Sequence, residues 1–127
     1  MKADNTSHKD TAVSFLRLVG SGKVRDAYDR YVAANFRHHN GFFRGDRESL
    51  VTAMEENADK NPGKVLDVKR TLEDGHYVAV HSHIRQHAQD RGGAAVHIFR
   101  FENDRIAELW DVVQAIPQDS PNEHGMF

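Results

Sequence analysis

Cysteine is absent from this chain of 127 residues. Its absence excludes disulfide bonds, thiolate metal sites, iron–sulfur clusters and cysteine nucleophiles. Histidine, aspartate and glutamate are therefore the strong candidates for any catalytic or ligand-binding role. The commonest domain size is roughly 100 to 150 residues, so we expect a single domain over residues 1–127.

Long apolar runs are also missing. The apolar stretch at residues 12–19 is interrupted by Ser14 and Arg17, so it does not form the core of a signal peptide. Nothing approaches the roughly 20 consecutive apolar residues of a membrane-spanning helix. We therefore expect no membrane partner, and the cytoplasm is the default location.

An excess of positive charge is the third feature that the chain lacks. Its 17 lysines and arginines are outnumbered by 19 aspartates and glutamates, which gives a formal net charge of -2. The basic residues are scattered, whereas a nucleic-acid-binding face gathers them in a patch or stripe. Nucleic acid is therefore not an expected partner.

Histidine, in contrast, is plentiful, and the chain has nine. Imidazole binds metals and carries protons near neutral pH. Five histidines lie in or beside segments with strand character, and a cluster of them on one strand face would indicate a polar site in an apolar frame. These five are His39, His81, His83, His87 and His97.

The N-terminal half shows helical periodicity. Ser7 and Asp10 have the spacing of a capping box before the first helix, and Asp46 is a suitable N-cap for the third. Glycine-containing turns at residues 20–22 and 61–63 end two of the helices. The predicted helices span about residues 9–19, 23–32 and 46–60, with a short extended segment at 35–40.

The C-terminal half changes to the two-residue period of β-strands. The predicted strands span residues 65–73, 76–86, 94–102 and 105–113. The tight turns between them predict an antiparallel meander, and helices packed on one face of such a sheet leave a pocket between the layers. The fold class is therefore α+β. Residues 118–127 have little apolar content, so we expect a mobile tail there.

Alternation along the strands sorts the candidate polar residues by face. If the faces that carry them coincide, four residues converge on one cavity: His81, His83, His97 and Asp111. Burial would raise the pKa of a carboxyl group there and make it a usable acid or base near neutrality. The strand register is not readable from the sequence, so three alternatives stay open. His81 and His83 could form an exposed pair, His97 could be a hydrogen-bonded structural residue, and Asp111 could pair with an arginine.

The order of elements, followed by a four-stranded meander, is similar to that of the nuclear transport factor 2-like superfamily. Within it, the chain resembles the SnoaL-like polyketide cyclase family, in the branch described as predicted aldol-condensation enzymes. The segments that carry the resemblance are residues 31–40, 78–83, 96–101 and 105–114. The last segment is the most specific, because it holds Glu108, Trp110 and Asp111 in the family's habitual pattern.

The resemblance implies a cone-shaped, curved antiparallel sheet packed against three N-terminal helices, and a homodimer formed through the outer sheet face. It also implies a cofactor-free, aldol-type condensation with a pocket aspartate as general acid/base, so that the chain would be a lyase or cyclase. The matching catalytic residue is Asp111, with His97 placed to polarise a carbonyl group. A small apolar carbonyl-bearing substrate would contact six further residues: His39, His81, His83, Phe99, Phe101 and Trp110.

Two other hypotheses stay open, because the chain has more candidate histidines than an acid/base cyclase requires. One is a divalent metal site for Zn²⁺, Ni²⁺ or Fe²⁺. Its ligands would come from His39, His81, His83 and His97. The other is a non-catalytic cone that binds an apolar ligand, with the histidines as hydrogen-bond partners. The superfamily holds enzymes and binding proteins on one fold, so the fold does not choose between them.

Overall fold

Three helices and five strands make up the computed structural model, which describes residues 7–127. The elements in chain order are α1 (His8–Gly20), α2 (Val24–Tyr31), β1 (Val32–His38), α3 (Arg47–Lys60), β2 (Val65–Asp74), β3 (Tyr77–Arg85), β4 (Gly93–Glu102) and β5 (Arg105–Ala115). Each predicted helix and meander strand is confirmed, with its ends displaced by no more than two residues. The α+β fold class is confirmed as well.

Side-chain caps set the start of two helices, as the sequence predicts. Ser7 Oγ accepts a hydrogen bond from the Asp10 backbone N–H at 3.1 Å, and Asp46 Oδ2 accepts one from the Ser49 N–H at 3.0 Å. Each bond satisfies a backbone donor of the first helical turn and stabilises the helix by about 1 kcal/mol. Within the described residues, no helix has the length and apolar character needed to cross a membrane.

The strands form one sheet in the order β1-β5-β4-β3-β2. Strands β2 to β5 make the predicted antiparallel meander. Strand β1, however, lies parallel to β5, so the sheet is mixed and not wholly antiparallel, which corrects the sequence prediction. Because the partner of β1 is the last strand of the chain, this pairing leaves no trace in the local pattern of residues.

The sheet curves, and three of its strand pairs carry register irregularities. One lies between Val68 and Arg70 in the pairing of β2 with β3, and another between Arg100 and Phe101 in the pairing of β4 with β5. An extra residue in one strand bends it and increases its twist. The concave side of the curved sheet, called the inner face below, packs against the helices, and the convex side is the outer face.

Aromatic side chains fill one end of the space between the helices and the inner face. The Phe15 ring lies edge-on to the rings of Tyr28 and Phe99, with centroids 5.3 Å and 5.9 Å apart. All three side chains are fully buried. Burying a large side chain stabilises the fold by about 1.5–3 kcal/mol, so this cluster anchors the helices to β4. The other end of the same space stays open as a cavity.

The chain beyond β5 forms no further helix or strand. The ring of Phe127 lies against the outer face of β3, with its centroid 5.5 Å from the His81 ring and 4.8 Å from the His83 ring. Lys69 Nζ lies 5.2 Å from the same ring. The structure therefore places the end of the tail on the outer face, while the mobility of residues 118–127 stays a prediction.

Candidate active site

A cavity of about 510 Å³ lies between the inner face, α1 and α3. This size falls within the range of roughly 300–1,000 Å³ typical of small-molecule sites. Most of its wall is apolar, with contributions from Leu16, Leu50, Met54, Leu66, Ile84 and Val113. Its polar residues are Asn40, Asn57, Lys64, Gln86, Asp90, His97 and Asp111. A ligand here would meet a few polar groups in an apolar frame.

His97 and Asp111 face each other across the pairing of β4 with β5. They are direct partners in the strand register, and residues directly opposite in an antiparallel pair project from the same face. Both line the cavity. The structure therefore brings these two predicted residues together, and their catalytic roles stay a prediction.

The His97 side chain is buried and has an unsatisfied ring nitrogen. The residue is 8% exposed, and its Nδ1 has no hydrogen-bond partner. Burial lowers the pKa of His97, Asp111 raises it, and Lys64 lowers it further, so the ring is neutral at neutral pH. An unsatisfied buried polar atom costs about 1–3 kcal/mol.

Asp111 is held by an amide and not by an arginine. Asn40 Nδ2 donates to Asp111 Oδ2 at 3.0 Å, and the Phe42 backbone N–H donates to Asn40 Oδ1 at 2.9 Å. The second bond fixes which end of the amide points at the carboxylate. Asn40 therefore restrains one carboxylate oxygen of Asp111 and leaves Oδ1 for a ligand.

His38 supports the loop that carries Asn40. Its Nε2 lies 2.6 Å from the Arg44 carbonyl oxygen, which requires a proton on Nε2, and its Nδ1 accepts the Asn40 backbone N–H at 3.1 Å. These two contacts assign one neutral tautomer to the ring. The side chain points inward from β1 and is buried. His38 thus organises the loop behind the site instead of lining the cavity.

His81 and His83 do not reach the cavity, which corrects the predicted convergence. In the register of β3 with β4, Val80 lies opposite His97, and His81 lies opposite Val96. The two histidines therefore project from the outer face, the opposite side from His97. His83 Nε2 donates to the Arg91 carbonyl oxygen at 2.7 Å. The alternative of an exposed histidine pair agrees with this choice of face, although both side chains are half-buried.

His39 and Trp110 also lie on the outer face. The His39 ring stacks on Trp110 with centroids 5.0 Å apart, and its Nε2 donates to Glu108 Oε2 at 2.6 Å. Phe99 and Phe101 lie on the inner face but are fully buried in the core beneath the cavity. None of these four side chains lines the cavity, so the sequence misplaced them as substrate contacts.

The proposed metal ligands are divided between the two faces of the sheet. His97 lies on the inner face, while His39, His81 and His83 lie on the outer face. Within residues 7–127, no three His, Asp or Glu side chains are arranged to hold a metal ion. The four histidines of the metal hypothesis are therefore not brought together.

Glu108 is a buried carboxylate on the outer face with three cationic or hydrogen-bonding neighbours. His39, Arg37 and Arg100 all donate to it, with Arg37 Nε at 3.0 Å and Arg100 Nε at 2.9 Å. Burial alone would raise its pKa, but these hydrogen bonds outweigh burial and lower the pKa of Glu108 to about 2. The cluster joins β1, β4 and β5 on the side away from the cavity.

We expect Glu108 to contribute to stability only above acidic pH. Its folded-state pKa of about 2 lies below the ordinary value of 4.5, so its stabilising effect is complete above that value and is lost as the pH falls toward 2. Glu108→Gln should lower the free energy of unfolding by about 1–3 kcal/mol at pH 7 and flatten its acid dependence. Urea unfolding across the pH range measures both effects, with the exposed Glu123→Gln as control. Equal acid slopes for wild type and Glu108→Gln would contradict this role.

Sequence reasoning missed Lys64, Asn40 and Gln86 as residues of the site. Lys64 and Asn40 lie beside turn residues, a context that usually indicates solvent exposure. Gln86 follows β3 directly, and its Oε1 is buried without a hydrogen-bond partner. No local pattern in the sequence indicates these residues. They reach the site because the loops after β1 and β3 meet the end of α3 at the cavity.

Comparisons with known proteins agree with this architecture. A model of the SnoaL-like domain matches residues 12–109, whereas no curated protein matches the chain. A nuclear transport factor 2-like protein of unknown function from Cytophaga hutchinsonii is 20% identical, with a TM-score of 0.70 over 90% of this chain and 95% of its own. An uncharacterised cystatin-fold protein from Novosphingobium aromaticivorans is 19% identical, with a TM-score of 0.71 over 85% and 99%.

A third similar structure is a SnoaL-like polyketide cyclase from Agrobacterium tumefaciens. It is 12% identical, with a TM-score of 0.70 over 86% of this chain and 92% of its own. Sequence identities this low establish a shared fold, but they do not establish a shared activity or substrate. The domain model is the stronger finding, because it covers most of the helices and the sheet. On that match, the chain belongs to the SnoaL-like domain family.

Proposed function

We propose that the chain is a cyclase-type enzyme that acts on a small carbonyl compound, with Asp111 as its general acid/base. One observation carries the proposal: Asp111 and the buried, neutral His97 face each other in an apolar cavity. The Agrobacterium protein of the same fold is described as a polyketide cyclase, which supports the same class of chemistry. No step of the proposal passes through a metal or an organic cofactor.

The two residues have complementary roles. Asp111 Oδ1 removes a proton from the carbon next to the carbonyl group, and negative charge moves onto the carbonyl oxygen. The neutral His97 ring, which lines the cavity, donates a hydrogen bond to that oxygen. A donor in a water-poor cavity stabilises such a developing charge more strongly than water does. The enolate carbon then attacks a second carbonyl, and the product oxygen takes up a proton.

The cavity also limits the substrate class. Its volume of about 510 Å³ and its largely apolar wall suit a small molecule with an apolar body and few polar atoms. His97 and Asp111 come from β4 and β5, and the other polar residues of the wall come from α3 and from the loops after β1, α3 and β3. We therefore propose a substrate with an aromatic or aliphatic body and a carbonyl group placed near His97.

A retro-aldol assay tests the proposal without the natural substrate. The aldol adduct of acetone and benzaldehyde places an apolar ring and a carbonyl group on one small molecule. We expect saturable release of benzaldehyde by the wild-type protein above the rate in buffer, measured by absorbance. Saturable binding of this adduct and its relatives without any conversion would contradict an enzymatic role and favour the binding-protein hypothesis.

Asn40 should affect the rate through the position of the Asp111 carboxylate. Asn40→Ala removes the hydrogen bond to Asp111 Oδ2, and we expect kcat to fall about tenfold, or ~1.4 kcal/mol. KM should change little, because Asn40 holds the base and not the substrate body. The exposed Asn35→Ala is the control and should keep the wild-type kcat. A change confined to KM would show that Asn40 binds the substrate instead.

A further inference from the structure

Among residues 7–127, Lys64 is the lysine that lines the cavity, as His97 and Asp111 do. The residue lies between the turn that follows α3 and the first residue of β2, and its backbone N–H donates to the Asn61 carbonyl at 3.2 Å. Its ammonium group donates to Asn57 Oδ1 on α3. The turn therefore fixes the backbone, and a neutral amide orients the amine at the cavity wall.

The charge of Lys64 is poorly compensated. Its hydrogen-bond partner is a neutral amide, whereas Lys69 on β2 pairs with Asp67 at 2.8 Å. Burial lowers the pKa of Lys64, which enlarges the fraction of neutral amine near neutral pH. Lys64 also lowers the pKa of His97, so the two groups are close enough to interact through the cavity.

The acidic groups of the cavity wall are Asp90 and Asp111. Asp90 Oδ2 accepts the Gln86 backbone N–H at 2.9 Å, and backbone hydrogen bonds from Gln86 and Gly92 lower the pKa of Asp90. Asp90 is therefore occupied with its own loop. Asp111 faces His97 and stays available as a base, so the Lys64 amine is held by the Asn57 amide and not by a carboxylate of the wall.

We propose that Lys64 is the nucleophilic amine of the site and forms a Schiff base with the ligand's carbonyl carbon. The ligand class is aldehydes and ketones, including β-dicarbonyl compounds. The inference rests on the carbonyl substrate of the proposed function, and it adds a covalent step to it. Lys64 is half-buried, and a lysine that is partly desolvated and lacks a carboxylate partner is suited to this chemistry because its neutral form is accessible.

The step balances without an added oxidant or reductant. The neutral Nζ attacks the carbonyl carbon, the carbonyl oxygen takes a proton, and the resulting carbinolamine loses water to give a protonated imine. Asp111 then removes a proton from the adjacent carbon, and the electron pair moves toward the iminium nitrogen to form an enamine. The enamine carbon attacks a second carbonyl to form the C–C bond. Water hydrolyses the new imine and releases Lys64.

Reductive trapping tests this step independently of turnover. The folded wild-type protein is incubated with phenylacetone and sodium cyanoborohydride, and digestion with mass spectrometry locates the alkylated lysine among the six of the chain. We expect Lys64 to be alkylated at least about tenfold faster than Lys23 or Lys69. Lys69→Arg should leave this labelling unchanged, and Lys64→Arg should abolish it.

The Asp111→Asn variant separates this inference from the proposed function. We expect it to keep Lys64 labelling while it loses retro-aldol turnover, because imine formation precedes proton removal. Even labelling of all exposed lysines in the wild type, or unchanged kcat in a folded Lys64→Arg variant, would overturn the role of Lys64 and leave that of Asp111 standing. Lys64 labelling together with full turnover of Asp111→Asn would instead support the amine and reject the base.

Discussion

Replacing Asp111 by asparagine is expected to lower kcat for the aldol adduct by about 100- to 10,000-fold, the usual contribution of a positioned general base. The side chain keeps its size, and its amide oxygen can still accept the hydrogen bond that Asn40 Nδ2 donates to Asp111. Only the basicity of the group is lost. Benzaldehyde release at saturating substrate measures the effect, and equal melting temperatures exclude a loss of folded protein.

The control for this substitution is Asp119→Asn, which changes an exposed aspartate of the tail. It carries the same change in charge at a site outside the cavity, so its kcat should equal that of the wild type. If Asp111→Asn keeps wild-type turnover while the protein stays folded, Asp111 is not the base. In that case another cavity group, such as Asp90, would have to perform the proton transfer.

Replacing His97 by leucine is expected to raise stability and lower activity together. The buried Nδ1 of His97 has no hydrogen-bond partner, and removing such an atom should increase the free energy of unfolding by about 1–3 kcal/mol. Loss of a hydrogen-bond donor to the enolate oxygen should lower kcat by roughly 100-fold. Urea unfolding and the retro-aldol assay measure the two effects on the same sample.

The opposite signs of these effects distinguish a functional histidine from a structural one. His83 on the outer face has a satisfied ring, since its Nε2 contacts the Arg91 carbonyl oxygen. His83→Leu should therefore lose a little stability and keep full activity. A His97→Leu variant that behaves in the same way would show that His97 is a structural residue, which is one of the alternatives that the sequence left open.

The elements of the fold were predictable because each has a local cause. The spacing of Phe15 and Leu16 with their apolar neighbours indicates a helix, and the Ser7 and Asp46 caps mark where two helices begin. The β4–β5 turn was predictable from Asn103 and Asp104, which adopt φ values of 49° and 64°. These residue types tolerate the left-handed conformation that a tight hairpin requires.

The assignment of strand faces failed where both faces of one strand looked partly apolar. On β3, Val78, Val80 and Ile84 alternate with His81 and His83. The β-branched residues form the more apolar set and take the inner face, which forces the histidines outward. The face of β3 with more apolar residues is the inner face, so comparing the two faces by apolar content predicts that the histidines lie on the outer face. The sequence predicted only that His97 and Asp111 would share a cavity if the polar and aromatic faces coincided, and the structure makes them direct strand partners.

The remaining site residues depend on contacts between distant parts of the chain. Asn40 reaches Asp111 only because β1 pairs with β5, and Lys64 reaches the cavity only because α3 packs beside the sheet. Neither pairing is encoded in residue spacing. Glu108 is a further example, because its hydrogen-bond donors Arg37 and Arg100 lie on two other strands.

Proton removal next to a carbonyl group by Asp111 is tested most directly by deuterium exchange. Phenylacetone is incubated in deuterium oxide with wild-type protein, Asp111→Asn or Asp119→Asn, and proton NMR follows the loss of signal from the carbons beside the carbonyl. We predict faster exchange with the wild type and Asp119→Asn than in buffer, and a rate about 100-fold lower or more with Asp111→Asn. Equal exchange rates for wild type and Asp111→Asn would contradict the assignment of Asp111 as the base.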